Sequence, residues 1–153
     1  MNKYRIPITI LMADDDEEDC MLVKDAWRES KLANDLRFVG DGEELMDYLY
    51  HRGTFSSQAD SPRPGLILLD LNMPRKDGRE ALAEIKADVS LRRLPIVVLT
   101  TSKAEEDIVR AYDLGVSGFI IKPVTFESLV DAVTTLDKYW FEIVELPLGL
   151  TRA

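Results

Sequence analysis

Short apolar runs recur along the chain, separated by polar and turn-forming residues. The sharpest is Leu66-Ile67-Leu68-Leu69, which ends on Asp70. Pro62, Pro64 and Gly65 fence it before; Pro74, Asp77 and Gly78 fence it after. An apolar run bounded in this way predicts a fully buried strand of the kind a parallel sheet needs. Ile8 to Ala13 predicts a first strand, Leu36 to Val39 a second, Leu94 to Thr100 a fourth and Phe119 to Ile121 a fifth.

Between these runs the apolar spacing turns helical. Met21, Val23 and Trp27, with Cys20 and Ala26, predict an amphipathic helix reaching Ser30, and Glu17, Glu18 and Asp19 suit its positive N-terminal end. Asp41, with Glu44 three residues on, predicts a capping box that opens a helix through Tyr50. Gly78 to Ala87 is helical with Leu82 and Ile85 inward; Ser102 caps a helix that Gly115 stops after Leu114. A last helix starts at Thr125 and carries Phe126, Leu129, Val130, Val133, Leu136, Trp140 and Ile143 on one stripe. His51 to Gly65 reads as a polar surface loop. Strands and helices thus alternate, which predicts an α/β fold: a doubly wound, five-stranded parallel sheet with helices on both faces.

Composition narrows the function. The 153 residues suit one domain with a sizeable core, and 46% hydrophobic with 31% charged is ordinary for a globular chain. A net charge of −9 lacks the basic footprint of nucleic-acid binding. No apolar run reaches the roughly 18 residues of a membrane span. Cys20 stands alone, so no intramolecular disulfide is possible, and a cytoplasmic location is expected. Phosphate-loop, dinucleotide and zinc-type spacings are absent.

Four predicted strands end in chemically useful side chains: Asp14 and Asp15, Asp70, Thr100, and Lys122. In a parallel sheet these ends share one edge, where ligands of open α/β sheets bind. Clustered carboxylates repel by roughly 4 kcal/mol per pair at about 4 Å and an effective dielectric near 20. Proton sharing or a hard divalent cation relieves this; Mg²⁺ (or Mn²⁺) takes such oxygens together with phosphate oxygens. Lys122 adds a fixed positive charge, and a carboxylate so placed stays ionised and nucleophilic towards phosphorus. Thr100 offers a hydroxyl to a phosphoryl oxygen. The residues therefore predict phosphoryl acceptance on Asp70.

With these pieces in order, from Asp14-Asp15 through Asp70-Leu71-Asn72-Met73-Pro74, Gly78, Thr100 and Lys122-Pro123, the chain resembles a response-regulator receiver domain over about residues 8–136. The resemblance implies a flavodoxin-like fold with strand order 2-1-3-4-5. It implies Asp70 as the phosphorylation site and a metal ligand, Asp15 as a direct Mg²⁺ ligand, Asp14 as a water-mediated one and the Asn72 backbone carbonyl as another. It makes Thr100, with Thr101 beside it, the switch hydroxyl region, Lys122 the phosphoryl contact, and Pro123 a cis-proline candidate. Phe119 stands where the family has a rotating aromatic, without a hydroxyl. The segment Leu99 to Ile108 and the tail Tyr139 to Pro147 resemble the stand-alone regulators paired with bacterial phytochromes in cyanobacteria, which implies a phytochrome-like sensor histidine kinase as partner and a homodimer built on the tail.

The tail carries its own argument. A helix of about 20 residues spans roughly 30 Å and overshoots the sheet. Tyr139, Trp140, Phe141, Ile143, Val144 and Leu146 then form an apolar patch suited to a two-fold interface, the alternative being a tail folded back on its own helix. The expected division is a receiver over 1–137 and a dimerisation element over 138–153. A competing reading is a phosphatase with an aspartate nucleophile, but such enzymes want an acid where Asn72 stands. An interaction module independent of phosphate leaves the acidic pair, Thr100 and Lys122 unused. Asp16 is open between a water-mediated metal contact and simple solvation, and His51 is expected to be a loop histidine.

Overall fold

The computed structural model describes residues 9–29, 35–57, 60–100, 113–116 and 118–121, with the side chains of residues 100 and 119–121 outside that description. Five strands, β1 (Thr9–Ala13), β2 (Asp35–Val39), β3 (Leu66–Asp70), β4 (Ile96–Thr100) and β5 (Gly118–Ile121), form one parallel sheet in the order β2-β1-β3-β4-β5. The described helices are α1 (Glu17–Glu29), α2 (Gly42–Tyr50) and α3 (Gly78–Ala87), with a short 3-10 turn at Gly53–Phe55.

Side-chain alternation along the strands divides the core in two. Leu11, Ala13, Ile67, Leu69, Ile96 and Val98 point to one face, where Leu45, Met46, Tyr48 and Leu49 of α2 and Ala81, Leu82 and Ile85 of α3 cover them. Ile10, Met12, Leu66, Leu68, Val97 and Leu99 point to the other, where Val23, Ala26 and Trp27 of α1 pack. Every residue of β3 is buried, as its uninterrupted apolar run requires. Burial of one such leucine contributes about 1.5–3 kcal/mol.

Three local expectations are corrected. Met21 is 62% exposed rather than part of the α1 stripe. At 100° per residue it lies about 200° from Val23, whereas Cys20, Val23 and Trp27 follow one another at three and four residues. The capping box at Asp41 is half made: Asp41 Oδ1 accepts from the Glu44 N–H at 2.8 Å, but the Glu44 carboxylate returns to the Gly40 N–H instead of Asp41's. The reciprocal box sits at α3, between Asp77 and Glu80.

The third correction is the segment after α2, which is more than a solvated loop. His51 ends the helix in a left-handed conformation (φ 56), and its Nε2 lies 2.9 Å from the Ser61 carbonyl. Tyr48 donates its hydroxyl to the Pro62 carbonyl at 2.8 Å, Phe55 packs against the core, and Ser61 is buried. Among the described residues, no helix is long and apolar enough to cross a membrane.

Candidate functional site

Register places the acids. Ala13 of β1 pairs with Leu69 of β3, so the residues that follow, Asp14 and Asp70, leave the sheet side by side. Asp70 pairs in turn with Leu99, which sets Thr100 one step beyond it on β4. The Asp14 N–H donates to the Val39 carbonyl at 3.0 Å and ties this end of β1 to β2. Asp14 and Asp70 are 3% and 4% exposed, whereas Asp15 faces solvent. Carboxylate oxygens of Asp14, Asp15 and Asp70 all lie within 4.8 Å of one another.

Each buried acid accepts a hydrogen bond from its own backbone. The Asp16 N–H donates to Asp14 Oδ1 at 2.9 Å, and the Asn72 N–H donates to Asp70 Oδ1 at 3.1 Å. These are Asx turns, in which a short carboxylate bonds the backbone two residues on. Asp16 is exposed, as simple solvation expects, and it also has a local structural role. Its Oδ1 accepts from the Glu18 and Asp19 N–H groups at 2.9 and 3.4 Å, making it the N-cap of α1.

After Asp70 the chain is braced from several directions. The Leu71 N–H donates to the Leu99 carbonyl at 3.3 Å, and the Gly78 N–H to the Leu71 carbonyl at 3.0 Å. A Cβ on Gly78 would fall 2.1 Å from the Asp70 carbonyl oxygen, so glycine is what lets α3 start this close to the acid. Arg75 takes a left-handed φ of 64 and reaches Asp41 at 3.7 Å. The Gly42 N–H donates to the Lys76 carbonyl at 2.8 Å, where a Cβ on Gly42 would clash at 2.1 Å. Lys76 also pairs with Glu84. Arg79, in the first turn of α3, donates through one terminal nitrogen to the Leu71 carbonyl at 3.4 Å and to Asn72 Oδ1 at 3.3 Å.

The chemistry of this donor set is that of a hard-cation site. Two charges 4.8 Å apart repel by about 3.5 kcal/mol at an effective dielectric near 20. Oxygens sharing one octahedral Mg²⁺ at about 2.1 Å lie roughly 3.0 Å apart when adjacent and roughly 4.2 Å when opposite, so a modest closure of this cluster would bring them onto one ion. The three acids could hold such an ion with water completing its shell.

Of the residues singled out from sequence, Asp14, Asp15 and Asp70 are brought together, and Asn72 stands beside them. The backbones of Thr100 and Phe119 lie in β4 and β5, with Phe119 in register with Val98. Their side chains, and Thr101, Lys122, Pro123, Tyr139, Trp140, Phe141, Ile143, Val144 and Leu146, lie outside the described residues. Sequence reasoning missed Arg79 and the Asp77–Glu80 box. The Asp-x-x-Glu spacing was there to read for the box, but nothing in the pattern pointed Arg79 back at Asn72.

A family model described as the response regulator receiver domain matches residues 10–134. The chain belongs to that family. Response regulator Rcp1 of Synechocystis sp. is 41% identical over 141 residues, covering 92% of this chain and 94% of Rcp1. The crystal structure of the Mn²⁺-bound form of Rcp1 is similar at a TM-score of 0.79 and 40% identity, covering 89% of this chain and 96% of that one. The phosphorylated cyanobacterial phytochrome response regulator RcpA matches at 0.79 and 41%, covering 88% and 94%. This receiver domain is therefore related to phytochrome response regulators, and its family is one of signalling proteins rather than conventional enzymes.

Proposed function

We propose that this receiver accepts a phosphoryl group on Asp70 from a sensor histidine kinase of the phytochrome type. The observation that carries this reading is the meeting of Asp14, Asp15 and Asp70 at one rim, two of them buried. An Asp70 carboxylate oxygen attacks the phosphorus of a phosphohistidine; the P–O bond forms as the P–N bond breaks, and the imidazole leaves. Asp14, Asp15, Asp70 and the Asn72 carbonyl would hold Mg²⁺, which when bound would neutralise charge on the transferring group. Lys122 supplies a second positive charge and Thr100 a hydroxyl, with Thr101 beside it. The acyl phosphate then biases a two-state surface around the Thr100 segment and Phe119, and Lys122-Pro123 is the cis-peptide candidate.

Residues 1–137 form the receiver in this reading, and 138–153 carry the apolar face through which two copies associate. A cytoplasmic location fits a kinase-fed acceptor. Asn72 occupies the place where an aspartate-nucleophile phosphatase needs its acid, which favours a lasting acyl phosphate over turnover. Incubation with acetyl phosphate and Mg²⁺ tests the assignment. Asp70→Asn is expected to abolish labelling while the circular dichroism and unfolding transition persist. Labelling retained in that variant means another residue is the acceptor.

A further inference from the structure

Arg79 occupies a position that helix energetics does not explain. It is the second residue of α3, at the positive end of the helix dipole, where a cation is disfavoured. Asp77 and Glu80 beside it follow the opposite and favourable rule. What Arg79 gains there is a grip on the turn after Asp70, since one terminal nitrogen bridges the Leu71 carbonyl and Asn72 Oδ1. The Leu71 carbonyl also accepts from the Gly78 N–H, and the Asn72 N–H is committed to Asp70 Oδ1. Asn72 is exposed, so without Arg79 its side chain has no anchor among the described residues. Among those residues none donates to the Asn72 backbone carbonyl.

The geometry points to Arg79 as a positioning residue for the cation site: it fixes Asn72 so that its backbone carbonyl stays available beside the Asp14, Asp15 and Asp70 oxygens. This rests on the functional reading above, in which that carbonyl joins the carboxylates around a divalent ion. In this role Arg79 acts through Asn72. Two opposing effects set the sign of the outcome. As a bare positive charge, Arg79 repels a cation, and its removal would tighten binding. As a clamp on Asn72, its removal loosens a ligand and weakens binding.

The test is a Mn²⁺ titration of the full unphosphorylated chain by calorimetry, with chemical unfolding in a chelator run in parallel. Loss of a group that orients a metal ligand typically weakens affinity about 10–100-fold, and a drop of about tenfold is expected for Arg79→Ala. Arg79→Lys keeps a nitrogen with several hydrogens and is expected to recover part of that loss. The chelator unfolding midpoint of Arg79→Ala is expected to hold or rise, since alanine is the better helix residue and the charge opposed the dipole. In an Asn72→Ala background the Arg79→Ala effect is expected to shrink, because the clamp has lost its main object. Unchanged or tighter Mn²⁺ binding in Arg79→Ala, while the wild type binds, overturns the inference and leaves the functional reading standing. An equal loss with and without the Asn72 side chain also overturns it. A wild type that binds no Mn²⁺ at all removes the functional reading, and this inference falls with it.

Discussion

The ends of β1 and β3 begin alike and then part. Each strand runs out on a buried aspartate, and each aspartate accepts an N–H from two residues on. After Asp14 the chain caps α1 at once through Asp16. After Asp70 it travels as far as Asp77 before α3 is capped, and that longer path is gripped by α2, β4 and α3. The short turn orients its carboxylate with the N–H two residues on and passes straight into a helix cap. The long one presents Asn72 and must be held from outside. One rim thus carries two carboxylates with the same local turn, one followed at once by a helix cap and the other by a longer segment braced from outside.

The steepest way to break that contrast is to push on the braced side. Gly78→Ala places a methyl 2.1 Å from the Asp70 carbonyl, a contact with rigid backbone that a side-chain shift does not relieve. Overpacking typically costs 1–3 kcal/mol, and about 3 kcal/mol is expected here. Urea unfolding in a chelator measures it. A cost below about 1 kcal/mol would mean that the turn after Asp70 yields easily, contrary to the bracing described.

A gentler pair of substitutions separates charge from capping on the short side. Asp14→Asn keeps an acceptor for the Asp16 N–H but removes one of the clustered charges. Each pair repulsion amounts to about 3.5 kcal/mol before screening and relaxation, so a gain of about 2 kcal/mol is expected in a chelator. The stabilisation that added Mg²⁺ gives the wild type is expected to vanish in this variant, because ligand linkage needs a site. Asp16→Asn, by contrast, exchanges one good N-cap for another. It is expected to change stability by less than about 0.5 kcal/mol and to leave the Mg²⁺ effect intact. Loss of the Mg²⁺ effect on Asp16→Asn would make Asp16 a ligand rather than a cap.

These substitutions also mark what sequence could carry. Asp14 and Asp70 were legible because each terminates an apolar run, and parallel pairing brings such ends together. Asp16 was not, since three successive aspartates offer the same group and the choice between cap and ligand is made by where α1 begins. Met21 was misread because an apolar residue near a stripe is easily counted into it, although its angle excludes it. The segment after α2 looked solvated by composition, yet Tyr48, His51 and Ser61 turn its carbonyls inward. Arg79 and the left-handed Arg75 are fixed by contacts that no local spacing records.

A third copy of the same turn, far from the rim, gives the smallest effect and the cleanest control. At the C-terminal end of α3 the Ser90 N–H and hydroxyl both donate to Asp88 Oδ1 at 2.7 Å, and the Tyr50 hydroxyl donates to Oδ2 at 2.7 Å. The Ser90 hydroxyl most of all, then the Tyr50 hydroxyl and the Ser90 N–H, hold the Asp88 carboxyl down at about 2. The same bond to Asp88, with some burial, pushes Tyr50 up to about 12. For Asp88, whose folded value is depressed, the contribution is present above the ordinary carboxylate range and is lost as pH falls through about 2. For Tyr50, whose neutral form is favoured, it is present below the ordinary phenol range and is lost as pH rises through about 12. The stability difference between wild type and Tyr50→Phe is therefore expected to be flat at neutral pH and to shrink towards both extremes. Carboxyl-detected NMR should find Asp88 titrating higher in Tyr50→Phe and higher still in Ser90→Ala, because the serine hydroxyl is the larger cause. If neither substitution moves Asp88, an Asx turn with an added hydroxyl does not secure a carboxylate on its own, and the orientation ascribed to the short turn at Asp14 loses its support.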